Sequence, residues 1–115
     1  MINKIHEKDL IEIADKLGYE EQSMQLIEEM AELTQAISKY RRYDDTEKLL
    51  NLIEELCDVN IVLEQVIYLI SKKIKDEIND DFLKYLNDYF NDNVEYKINR
   101  TKKRIEKTGK NSLKN

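Results

Sequence analysis

Apolar residues recur along most of this chain at steps of three and four, the period of an α-helix. Ile5, Leu10, Ile13, Ala14 and Leu17 form a first stripe, which predicts a helix over 3–17 with Gly18 as its stop. Met24, Ile27, Met30, Leu33 and Ile37 predict a second helix over 20–42. A third, over 46–73, follows from Leu49, Leu52, Ile53, Leu56, Val59, Leu63, Ile67 and Ile70. Between them Tyr43-Asp44-Asp45-Thr46 breaks the pattern, and Asp45 or Thr46 is suited to cap the third helix. The pattern weakens after Lys75. From Asp76 to Asn93, Asn and Asp are interleaved with Phe82, Tyr85, Leu86, Tyr89 and Phe90, which reads as a short amphipathic helix between loops. Ile98 and Ile105 predict a last helix over 94–107, and residues 108–115 are expected to fray. The whole reads as one all-α domain over 1–107.

Composition strengthens that picture. The 115 residues contain no proline, and Gly18 and Gly109 are the only glycines, so the tight turns of a sheet protein lack their usual residues. A chain this short and polar gains burial by oligomerising. The net charge of −5 gives no general attraction to nucleic acid or to an anionic membrane. The stretch from Lys97 to Lys114 is nonetheless basic, which on composition alone reads as a solvated helix end. Cys57 is the only cysteine, so no intrachain disulfide forms; in an apolar helix it reads as a small buried hydrophobe. The start, Met1-Ile2-Asn3-Lys4-Ile5-His6-Glu7, lacks the apolar core of a signal peptide. The most apolar run, Ile61 to Ile70, is too short to span a bilayer. A soluble, cytoplasmic protein is expected.

Charge also brings in candidate chemistry. The word Leu26-Ile27-Glu28-Glu29-Met30-Ala31-Glu32 is echoed by Leu52-Ile53-Glu54-Glu55-Leu56-Cys57-Asp58. At about 100° per residue, with Met30 and Leu56 at the centres of their stripes, Glu29/Glu32 and Glu55/Asp58 flank the expected core on the same side. Glu28 and Glu54 point away from it. In an antiparallel hairpin, Glu29 with Asp58 and Glu32 with Glu55 share one midpoint, between Tyr43 and Asp44, where the turn is expected. Acidic residues number 24 of 115, so a single i, i+3 pair carries no weight as a site; two pairs matched in register, angle and level do. Four such carboxylates repel one another unless a cation neutralises them. Oxygen-only ligands select Mg²⁺, or Mn²⁺ in its place. A di-iron bundle would need Glu-x-x-His ligands, and His6, the only histidine, reads as a surface residue.

The pattern Glu28-Glu29-x-x-Glu32, a spacer from Leu33 to Glu54, then Glu55-x-x-Asp58 resembles the signature of the MazG-like all-α nucleoside triphosphate pyrophosphohydrolases. The resemblance covers roughly Leu17 to Ile70. Near the end, Lys97-x-x-Arg100 resembles the basic pair that many members carry on their last helix. The resemblance implies a helical hairpin core that pairs into a four-helix bundle, in a homodimer or a dimer-of-dimers tetramer. It implies Mg²⁺ held by Glu29, Glu32, Glu55 and Asp58, with Glu28 a further member of the catalytic motif. It implies hydrolysis of a nucleoside triphosphate to a monophosphate and pyrophosphate, with Lys97 and Arg100 on the substrate's phosphates. Lys39, Arg41 and Arg42 are further phosphate candidates. Tyr19, Gln25, Tyr40 and Asn51 are placed by position to meet the base. The competing reading is a non-catalytic helical interaction module.

Overall fold

A computed structural model describes residues 4–109. A single 3₁₀ turn, Lys4–His6, leads into three α-helices: α1 (Glu7–Tyr43), α2 (Thr46–Glu77) and α3 (Asp80–Thr108). Among the described residues there is no strand. None of the helices is long and apolar enough to cross a membrane. Asn3 and residues 110–115, which carry the start of the expected first helix and most of the expected frayed tail, lie outside the described residues. The chain divides into two compact units, residues 1–73 and 74–115.

Within the first unit, α1 is two helical segments that meet at a kink at Gly18, the stop expected there. There φ is 85° and ψ is 169°, a non-helical backbone that a residue with a side chain rarely adopts. The turn falls where the pattern broke. Asp44, left-handed with φ 45°, closes α1 by donating its backbone N–H to the Tyr40 carbonyl. Asp45 then caps α2: its carboxylate accepts the Lys48 N–H at 2.8 Å, and its carbonyl accepts the Leu49 N–H at 3.0 Å. A two-residue link forces α1 and α2 into an antiparallel hairpin.

The hairpin's register is recorded by two cross-helix pairs. Gln22 donates to Gln65 at 2.6 Å, and Lys72 meets Asp15 at 2.9 Å. Both pairs have their midpoint between Tyr43 and Asp44, the level expected for the carboxylates. The buried face differs from the one the apolar stripes predicted. The seam of α1 carries Ala14, Gln22 and Ala36, and that of α2 carries Val62, Gln65, Val66 and Leu69. Met30, placed at the centre of its stripe by the sequence, is 53% exposed, and Ile27 is 62% exposed. Hydrophobicity marks a face for burial without saying which partner buries it. Here the more polar face of α1 turns to its own hairpin mate. Cys57 is exposed rather than buried, because it projects beside the Leu56–Val59 line and not along it.

The second unit corrects the reading of 76–107. One helix replaces a short helix, loops and a second helix. The Asn79 side chain caps it, accepting the Phe82 N–H at 2.7 Å. Side chains that could compete with the helix are satisfied locally: Asn93 donates to the Tyr89 carbonyl and Thr101 to the Lys97 carbonyl. The rings of Phe82, Tyr85 and Tyr89 stack in sequence along one side, with centroids 6.2 and 6.5 Å apart. Gly109, with φ 71°, ends the helix as a left-handed cap.

Candidate metal centre

Glu29 sits seven residues beyond Gln22 on α1, hence two turns along the same seam. The ladder that sets Gln22 against Gln65 therefore turns Glu29 toward α2, and it sets Glu32 level with Glu55. The result is a convergence of three carboxylates from two helices. Glu29, Glu32 and Glu55 each offer an oxygen, and these oxygens all lie within 4.8 Å of one another. Glu29 and Glu55 are half-buried, while Glu32 is exposed at the mouth.

Two of these groups carry an unbalanced atom. The Oε2 atoms of Glu29 and Glu55 are buried without a hydrogen-bond partner among the described residues. A buried carboxylate oxygen that neither water nor a donor satisfies is costly. The ion pairs of the described residues lie elsewhere, as Lys16–Glu12, Lys48–Glu47 and Lys72–Asp15. The neutral Gln25 amide donates a hydrogen bond to Glu29 Oε1 at 2.6 Å. Gln25, placed by position to meet a base, hydrogen-bonds the Glu29 carboxylate in the structure. Its position at i, i+4 before Glu29 could have signalled that bond.

The donor set fits a hard divalent cation: oxygen alone, from three carboxylates, with two oxygens lacking any other partner. Asp58 falls outside the convergent group and is exposed on α2. Glu28 and Glu54 are exposed, as their helical angles required.

Tyr40 is tied to the turn, where the negative charge of Asp44 raises its phenol above the ordinary value. Tyr19 is exposed, and Asn51 is half-buried on α2. Arg41 and Arg42 line a shallow depression at the end of α1 with Thr34, Ile37 and Ser38, and Lys39 is exposed nearby. Lys97 and Arg100 lie one turn apart on α3, in the second unit, with the Arg100 guanidinium 5.7 Å from the centre of the Tyr96 ring. His6 is exposed in the 3₁₀ turn. Comparison with known proteins adds no relative: no family model, no curated protein and no solved structure matches the chain.

Proposed function

We propose that the chain is a Mg²⁺-dependent nucleoside triphosphate pyrophosphohydrolase acting in nucleotide-pool housecleaning. The supporting observation is the convergence of Glu29, Glu32 and Glu55, with two buried carboxylate oxygens that lack a partner. The resemblance of the motif words supplies the substrate class. The reaction adds water across the α–β phosphoanhydride, releasing a nucleoside monophosphate and pyrophosphate.

In this reading Glu29, Glu32 and Glu55 hold the cation, and Mn²⁺ can replace Mg²⁺. Asp58 joins them from the next turn of α2. Gln25 fixes the Glu29 carboxylate, so that less ordering remains to be done when ligands bind. A bound divalent cation supplies charge neutralisation for phosphate oxygens and a lowered pKa for bound water. Glu28 and the basic pair Lys97 and Arg100 enter on the family pattern alone. The exposed apolar stripes, with Met24, Ile27 and Met30 on α1 and Leu50 and Ile53 on α2, support pairing of two hairpins into a four-helix bundle.

The test is pyrophosphate release over a panel of canonical and modified nucleoside triphosphates, with and without Mg²⁺. Glu55→Gln keeps the shape and removes a charge. It should abolish release while raising the stability of the metal-free protein, because one member of a repelling group is neutralised. A purely structural role for Glu55 predicts that stability falls instead. A flat panel with an intact fold would favour the interaction module.

A further inference from the structure

The carboxylate group has a counterpart of opposite sign nearer the tip of the hairpin. Lys39 on α1 and Lys48 on α2 are equally distant from the midpoint between Tyr43 and Asp44, so they share a rung, as Glu32 and Glu55 do. Each lysine stands seven residues from the carboxylate of its own helix, Lys39 from Glu32 and Lys48 from Glu55. Seven residues are about two turns, which keeps each pair on one face and about 10.5 Å apart along the axis. An acidic rung and a basic rung thus follow one line, with the buried Ala36 and the half-buried Asn51 on a rung between them.

The helices themselves give these lysines little reason to be there. Lys48 lies in the first turn of α2, where a cation opposes the helix dipole. Its ion pair with Glu47 is long, 3.9 Å, and that carboxylate is 88% exposed, so the pair contributes little. Its ammonium stands 5.9 Å from the centre of the Tyr43 ring, which offsets the dipole in part. Lys39 precedes the last turn of α1, has no acid three or four residues away on that helix, and makes no ion pair among the described residues. It leans back toward Glu32, because helical side chains tilt toward the N-terminus. In the other direction along the seam the carboxylates meet no such charge, only the neutral pair Gln22 and Gln65.

We propose that Lys39 and Lys48 bind the terminal phosphate of a polyphosphate whose inner phosphates meet the cation at Glu29, Glu32 and Glu55. This rests on the metal-dependent reading above and sharpens it. A single phosphate reaches only the acidic rung. A chain of phosphates directed toward the tip carries its remaining charge to the basic one, and the flexible lysine stems close the gap. The two rungs together select a ligand by the length of its phosphate chain.

The experiment is titration calorimetry on the full chain, first with Mg²⁺ alone and then, with Mg²⁺ present, with inorganic triphosphate or inorganic monophosphate. The unaltered chain should bind triphosphate more tightly than monophosphate. Lys39→Gln with Lys48→Gln should weaken triphosphate binding about tenfold or more, the loss of at least one charge-assisted contact. It should leave monophosphate and Mg²⁺ binding near the parent's. Lys39→Gln alone, at an exposed position, should show part of the same loss, so a disturbed turn in the double variant does not close the test. Circular dichroism checks the helix content of each chain. Equal triphosphate affinity in the parent and the double variant overturns the proposal. So does a loss that appears only in a chain carrying Lys97→Gln and Arg100→Gln. In both cases Mg²⁺ binding by the parent leaves the metal centre standing. A parent that binds no Mg²⁺ removes the metal reading and this lysine pair together.

Discussion

Gly18 holds a backbone conformation that no other residue adopts without strain, yet a Cβ added there would meet nothing within 4 Å. Gly18→Ala is therefore a clean measure of the bend: space permits it and the backbone opposes it. It should cost about 1–3 kcal/mol in chemical denaturation. A change of only a few tenths would mean that α1 straightens freely. Asp15, four turns from the carboxylate group along the same seam, is the other informative single residue. Hydrogen bonds from Lys72 and then Tyr68 hold its carboxyl below the ordinary value of 3.8. A lowered folded pKa means that this contribution is in place above the unfolded value and is lost as pH falls through the folded one. Acid titration of stability should show a loss below about pH 4 that Asp15→Asn lacks. Equal acid profiles for the two proteins would remove Asp15 from the balance. Both residues were partly legible. Gly18 announced a stop because glycine ends helices. Asp15 announced nothing, because its partners are more than fifty residues away in sequence and a single acid in a helix is commonplace.

At the scale of elements, the hairpin is held in register by a polar pair rather than an apolar one. Gln22 and Gln65 are 3% and 2% exposed, and Gln65 also donates to the Leu10 carbonyl at 3.1 Å. Gln65→Leu alone strands the buried Gln22 amide, and should cost about 1–3 kcal/mol. Gln22→Leu together with Gln65→Leu should recover most of that loss in urea unfolding. A single variant as stable as the parent would show that the pair does not hold the register. The helical period made α1, α2 and the turn legible, and the shared midpoint of the carboxylate pairs followed from the turn. The buried face was not legible in the same way. An apolar stripe such as Met24-Ile27-Met30 looks the same whether its own hairpin covers it or another chain does. α3 was misread because Asn and Asp disfavour helix interiors on average, while here an Asn79 cap and back-bonded Asn93 accommodate them.

At the scale of the molecule, the core is thin. The buried apolar residues are Ala14, Ala36, Val62, Val66 and Leu69, and no large side chain is fully buried among the described residues. Interactions outside the apolar core then weigh heavily on stability. If a cation joins Glu29, Glu32 and Glu55, Mg²⁺ at a hundredfold excess over its dissociation constant should stabilise the chain by about 2.7 kcal/mol. Thermal unfolding with and without Mg²⁺ measures this. Glu55→Gln should remove the difference, and the absence of any Mg²⁺ effect on the parent would count directly against the site. The convergence of Glu29, Glu32 and Glu55 was legible in helical angle and level. The exposure of Asp58 was not, since angle and level place a residue on a face but do not fix how far its side chain reaches.

The two-residue link at Asp44-Asp45 bears on how this chain can change in length. Residues inserted in the link itself leave the rungs at Gln22–Gln65 and Asp15–Lys72 to hold the alignment. One residue inserted between Gln22 and Glu29 would instead turn Glu29 and Glu32 about 100° relative to those rungs, away from Glu55. Length is thus free at the tip and rationed along the shafts. Variants of this chain that keep the carboxylate group should differ in size at the link, or gain and lose whole two-turn blocks on both helices together.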